Sequence, residues 1–233
     1  MRYSNGMGRG LLIVALLVAG LAVAVPANAD TFNLTSCHIS TGCPPAGTIF
    51  GTVTLNQVGS NVTVDVVLLN GSRFVETGSG GQSLFLFNAG AGTSVSNITT
   101  TLNGANVAIP GGVSGLTNQP LIMADGTGNW TAQIFCTTSS NCNGGSTPNI
   151  NDLHFTVNNI TIAQLTTPTA DSTPNFFVAD ILCGAGVSVC GGLTGPVDVN
   201  TGSVPEPASL LLLGAGLAGI GLSQWKRRKA GQV

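Results

Sequence analysis

The chain has 233 residues, with 7 Lys and Arg against 9 Asp and Glu, and six of its basic residues lie in two apolar ends. Between those ends, over residues 30–203, Arg73 stands alone against eight acids, a net charge of −7. Neutralising a phosphate backbone takes several cations, so no nucleic-acid partner is expected, and an anionic membrane surface repels such a body. With so few charges, solubility must come from Ser, Thr, Asn and Gly, a composition that suits an extracellular protein in contact with polymers or with itself.

Arg2 and Arg9 precede an apolar run over residues 11–25, and Ala27-Asn28-Ala29 follows. A basic start, a short apolar run and an A-x-A site are the three parts of a secretory signal peptide. The run is too short and wrongly flanked for a stable membrane span. Residues 1–29 are therefore read as a leader helix that signal peptidase removes after Ala29, so that the mature chain starts at Asp30. The body that follows, residues 30–190, is long enough to build one full core.

Its six cysteines fall as Cys37 and Cys43, Cys136 and Cys142, Cys183 and Cys190. The leader sends them to an oxidising compartment, where an even count reads as disulfides. Six cysteines allow about 15 pairings; the three local ones are favoured because each brackets a turn-rich stretch. The gaps are wider than zinc spacing, and only the first encloses a histidine, His38, so a metal site is the weaker reading.

Period-2 alternation sets the strands. Residues 48–55 and 61–70 alternate around the turn Gln57-Val58-Gly59-Ser60, with Val62, Val64, Val66 and Leu68 inward and Thr63 and Asp65 outward. Asn70-Gly71 marks a further turn, and residues 73–76 a short strand. Leu84-Phe85-Leu86-Phe87 is apolar on both faces and is expected to be a central strand covered on both sides. Residues 94–102 form another strand, and residues 104–115, with Pro110-Gly111-Gly112, a loop. Trp130, Ala132 and Ile134 share one face of a strand over 129–136. Leu153, Phe155 and Val157 face inward opposite His154 and Thr156, with Ile160 and Ile162 extending that strand. Residues 176–182 are a further buried run, and residues 191–203 read as a Gly/Pro linker. No stretch of the body keeps helical periodicity over three turns. The expected fold is all-β: a β-sandwich ectodomain of about eight to ten strands, flanked by the leader helix and a single C-terminal transmembrane helix. A β-helix needs a regular repeat, and none occurs.

Catalytic chemistry is sparse. The body holds two histidines, His38 and His154, no tyrosine and no G-x-S-x-G elbow. Its carboxylates, Asp65, Glu76, Asp125, Asp152, Asp171 and Asp180 among them, are scattered; a close pair facing a cleft is what a glycosidase needs. Asp125-Gly126-Thr127-Gly128-Asn129 is a Gly-rich turn with oxygen donors but without the acidic density of a calcium loop. No cofactor is expected.

The C-terminus is the most specific stretch. Val204-Pro205-Glu206-Pro207 is followed by a run over residues 210–222 made only of Leu, Ala, Gly and Ile, then by Lys226, Arg227, Arg228 and Lys229. Motif, greasy helix and basic stop, in that order, resemble the PEP-CTERM sorting signal of Gram-negative bacteria, which here covers residues 204–229. The resemblance implies export through the inner membrane, a transient membrane anchor, processing by an exosortase, and a place at the cell surface or outside it. Within the body, Asp125-Gly126-x-Gly128-x-Trp130, Ile134-x-Cys136, Gly144-Gly145, Leu153-x-Phe155-x-Val157, residues 176–181 and Thr194-Gly195 resemble a group of PEP-CTERM ectodomains without an assigned function. The expectation is a non-enzymatic surface or matrix protein associated with exopolysaccharide or biofilm. The alternatives are a carbohydrate- or calcium-binding module and, behind it, a glycan-active enzyme.

Overall fold

The computed structural model describes residues 29–77, 83–138, 142–143, 150–170 and 174–200, together with the backbone of 204–205. The expected leader helix with Ala27, the expected membrane helix, Glu206, Pro207 and the basic stop all lie outside the described residues. Among the described residues no helix is long and apolar enough to cross a membrane.

The body is all-β. In chain order its strands are β1 (Ala29–Leu34), β2 (Ser36–Cys37), β3 (Gly51–Val58), β4 (Asn61–Leu68), β5 (Arg73–Phe74), β6 (Phe85–Phe87), β7 (Ser94–Leu102), β8 (Ala105–Asn106), β9 (Val113–Leu116), β10 (Ile122–Ala124), β11 (Gly128–Trp130), β12 (Ala132–Cys136) and β13 (Asp152–Asn158). A helical turn, α1 (Ile162–Leu165), precedes β14 (Phe177–Leu182), β15 (Thr194–Asp198) and β16 (Val204–Pro205). The strands outnumber the expected eight to ten partly because β2, β5, β8 and β16 span two residues each, too short for alternation to show.

They form two seven-stranded sheets and a separate β10–β11 hairpin. The first sheet runs β16-β1-β3-β4-β13-β7-β8. The second runs β2-β15-β14-β6-β12-β9, with β5 also on β14. One apolar core joins them. Phe155 of β13 meets Phe85 and Phe87 of β6 with ring centroids 6.0 and 5.5 Å apart, and Phe32 of β1 meets Phe177 of β14 at 5.2 Å.

The β3–β4 hairpin follows the alternation: Val62, Val64, Val66 and Leu68 are buried and the residues between them are not. Asn70 and Gly71 take φ of 55° and 77°, and the Ser72 N–H donates to Leu69 at 2.9 Å. That is the mirror-image turn an Asn-Gly pair favours. The expected central strand is also found. Phe85, Leu86 and Phe87 are all buried, and β6 lies between β14 and β12. Phe85 and Phe87 face the main core, while Leu86 packs with Val178, Ala124 and Trp130 in a second cluster on the other side of the sheet.

Several expectations are corrected. Within the expected linker, Thr194–Asp198 form β15, which sits between β2 and β14 with Val197 and Asp198 fully buried. Pro196 made this stretch read as a break. The proline accepts from the His38 N–H at 3.0 Å just beyond the end of β2, where the ladder stops needing its missing donor. Residues 104–115 are not all loop: Asn103-Gly104 (φ 53° and 81°) turns β7 into β8, and β9 pairs with β12. Trp130 does not share a face with Ala132 and Ile134. The chain breaks at Thr131, so Trp130 enters the second cluster and the other two the main core. Ile160 and Ile162 do not extend β13. Asn159 takes φ 57°, and Thr161 caps α1 in a reciprocal box with Gln164.

Candidate functional site

The processing ends meet on one sheet edge. Ala29, the predicted last leader residue, opens β1 opposite Asn56 of β3. On the outer side of β1, Asp30 faces Pro205 and Thr31 faces Val204 in antiparallel register. The first half of the sorting motif is thus a strand on the first residues of the predicted mature chain.

The cysteines lie in the three local pairs, with Cα separations of 5.7 Å for Cys37–Cys43, 6.3 Å for Cys136–Cys142 and 5.7 Å for Cys183–Cys190. All three attach to the second sheet: at β2, at the end of β12, and across the β14–β15 connection. The last loop needs a glycine at 184. A Cβ there would lie 2.2 Å from the Asn70 carbonyl oxygen, against the Asn70-Gly71 turn.

Polar chemistry collects on the outer face of the second sheet, beneath the β10–β11 hairpin. β5 and β6 pair with the same side of β14, and between them Asp180 accepts from the Val75 N–H at 3.1 Å and donates its N–H to the Leu84 carbonyl at 3.0 Å. The Asp180 side chain also holds Thr77, whose N–H and hydroxyl donate to its Oδ2 at 2.8 and 2.6 Å. Glu76 accepts from the Cys136 N–H at 2.7 Å. Both residues are buried, and Glu76 Oε2 and Asp180 Oδ1 have no hydrogen-bond partner. Burial pushes Glu76 up to about 7, against the pull of the Cys136 N–H. Burial likewise pushes Asp180 up to about 7; the Thr77 bonds lower it, and the charges of Glu76 and Asp125 raise it further. Sequence reasoning left these two carboxylates scattered, because 103 residues separate Asp180 from the Thr77 it holds. The crevice beside Asp180, lined by Ser83, Leu86, Ala124, Val178 and Pro196, leaves no space for a water molecule, and so none for a sugar ring.

His38 is a partner of buried Asp198. Its Nε2 lies 2.9 Å from Asp198 Oδ2 and 3.1 Å from Ser36 Oγ. A serine-activating relay needs the two partners on opposite ring nitrogens; here both share one. The tip of the β10–β11 hairpin closes over the ring. A Cβ on Gly126, where φ is 73°, would come within 2.7 Å of His38 Nδ1, so glycine is required for this approach. The Asp125-Gly126-Thr127 stretch is this hairpin's turn, closed by Thr127 N–H to Ala124 at 2.9 Å. Trp130 is fully buried beneath it and donates to Thr127 Oγ1 at 3.2 Å, so it is no surface platform. On the first sheet His154 pairs with Asp65 on the outer face, as its parity predicts. Among the described residues no group of three or more His, Cys, Asp or Glu is placed to hold a metal ion.

One open cavity of about 330 Å³ lies near α1, where Asn88, Thr93, Thr131, Asn159, Gln164 and Thr167 line it with amides and hydroxyls. Two of its amides are fixed by the backbone: Asn88 Nδ2 donates to Thr167 at 3.3 Å and Asn159 Nδ2 to Gly92 at 3.2 Å. No charged side chain lines it.

The described body is all-β with three cysteine pairs, and the sequence beyond it runs through Pro205-Glu206-Pro207, an apolar run and a basic cluster. Residues 203–228 match the PEP-CTERM protein-sorting motif. The chain therefore carries that motif and is an exported protein sorted to the cell envelope or surface, with an exosortase as its processing partner. No curated protein and no solved structure matches the chain.

Proposed function

We propose that the chain is the precursor of a non-enzymatic surface or extracellular-matrix protein, released from a transient membrane anchor and associated with exopolysaccharide. The sorting motif carries this reading. The sparse charge of the body supports it. So do the Ser36 and Asp198 contacts on one His38 nitrogen and the closed crevice beside the Asp180 carboxylate. As a helix, residues 208–225 would reach about 27 Å at about 1.5 Å per residue, barely the thickness of a hydrocarbon core. The basic cluster at 226–229 stays cytoplasmic under the positive-inside rule, which leaves the motif at the outer face of the inner membrane. Mass spectrometry of the exported protein, with and without an exosortase in the host, tests this. The expected result is a shortened form only with the enzyme, abolished by Glu206→Ala. An intact tail through Val233 in both strains defeats it.

A second reading has its own observation. The uncharged cavity near α1 offers donors and acceptors suited to the hydroxyls of a neutral saccharide. A glycan array run with and without calcium decides it: saturable binding to a defined neutral sugar, weakened by Gln164→Ala, favours a polysaccharide-binding module over a purely structural role.

A further inference from the structure

Antiparallel pairing of β1 with β16 brings the start of β1 and the end of β16 to the same end of the first sheet. The two ends of the described body, Ala29 and Pro205, thus lie at one corner. The pairing also bears on the motif itself. Backbone N–H groups of an extended strand point alternately to its two sides, and proline has none. An extended Val204-Pro205-Glu206-Pro207 therefore carries its donors, those of Val204 and Glu206, on one edge only. Pro205 has nothing to donate to Asp30, so any N–H that β16 gives β1 across these positions is that of Val204. A protease groove that reads the motif as a strand uses that same donor edge.

We propose that β1 is the docking strand for the sorting motif in the folded precursor, and that an exosortase cuts only chains in which β16 has come off β1. This rests on the exosortase reading above. Directly opposed residues of an antiparallel pair have Cα atoms about 4.5–5.5 Å apart, within the range a disulfide spans. Thr31→Cys with Val204→Cys, made in the full chain, should therefore crosslink, giving a gel shift that reductant removes. Thr54→Cys with Val204→Cys should not, since β3 lies one strand further, about 10 Å away. In an exosortase-bearing host, the crosslinked chain should be shortened at least tenfold more slowly than the Val204→Cys single variant, and reduction should restore the rate. No crosslink at 31–204, or a crosslinked chain cut as fast as the single variant, overturns the proposal. If wild type and the single variant both stay intact in that host, the exosortase reading fails and the gating with it, while the crosslink yield still judges the strand pairing.

Discussion

The two sheets treat their outer faces differently. On the first, Thr63, Asp65, His154 and Thr156 stand partly exposed on β4 and β13, and polar side chains there keep their contact with water. On the second, Leu86, Val178, Asp180 and Asp198 are buried, three of them within the polar and apolar layer that the β10–β11 hairpin covers. The same two-residue period runs through both. What differs is the roof. Beneath it a polar group must find a partner in the protein or give up its charge, and Asp180 shows both responses: it accepts two bonds from Thr77 and is pushed up to about 7.

The largest effect expected from this contrast comes from putting one charge on each outer face. Leu86 is 3 % exposed, so Leu86→Asp should cost more than about 4 kcal/mol and in practice prevent folding. Phe85→Asp, on the opposite face of the same strand, should do the same. Thr63→Asp on the first sheet should stay within about 0.5 kcal/mol. Denaturant midpoints measure all three. If Leu86→Asp unfolds at the wild-type midpoint, the hairpin does not roof the sheet.

Next in size is the dependence on pH. Asp180 has its pKa raised from 3.8 to about 7 and Glu76 from 4.5 to about 7. A raised carboxyl favours the fold when protonated. The stability it contributes is fully present below about pH 4 and is lost as pH rises through about 7. The body should therefore unfold at lower temperature at pH 8 than at pH 5. Asp180→Asn keeps an acceptor for Thr77 without the charge. It should stabilise more at pH 8 than at pH 5, by on the order of 3 kcal/mol, because about two pK units of the shift lie between pH 5 and 7 at about 1.4 kcal/mol per unit. A melting temperature that rises from pH 5 to pH 8 in wild type contradicts this assignment.

The contrast also explains what could be read in advance. β3, β4 and β13 were legible because one face is dry and the other wet, so alternation marks them. β6 was legible for the opposite reason, since four apolar residues in a row have no wet face to offer. β15 was not, because Pro196 reads as a break and its ladder position, beside the end of a two-residue strand, is a property of the assembled sheet. The Thr161-Ile162-Ala163-Gln164 capping box and Asn103-Gly104 were local signals that could have placed α1 and the β7–β8 turn. No local signal joins His38 to Asp198 across 160 residues. The local cysteine pairs were legible because each gap is short. That all three fasten the second sheet was not.

This placement gives a smaller effect. Closing loops with sequence separations of 6, 6 and 7 contributes about 2 kcal/mol each in the chain-entropy account. Removing Cys136–Cys142 by paired Ser substitutions should lower stability by about that much. It should also free the Glu76 N–H, which donates to the Cys142 carbonyl at 2.7 Å. Hydrogen exchange after reduction should rise first at β2, β12 and the β14–β15 connection, while β3, β4 and β13 keep their protection. Uniform loosening of both sheets runs against the asymmetry, and peptide mapping that joins Cys37 to Cys183 or Cys190 removes its basis.

The smallest effect belongs to the wet face. His154 and Asp65 are directly opposite on β13 and β4, with Nδ1 and Oδ1 2.5 Å apart, and their side chains remain 35 % and 40 % exposed. Close geometry alone suggests a strong pair. Solvent decides otherwise: at this exposure the attraction is screened, and ordering the two side chains opposes it. Asp65→Asn retains an oxygen that can accept from the imidazole, so it should shift stability by about 0.5 kcal/mol or less. A double-mutant cycle with His154→Gln isolates the pair, and its coupling energy should fall below about 1 kcal/mol and shrink further in 1 M salt, where the Debye length is about 3 Å. A salt-insensitive coupling larger than the effect of Asp180→Asn at pH 8 reverses the ranking of the two faces, and with it the claim that the hairpin roof, not the distance between the groups, sets what a charge costs in this body.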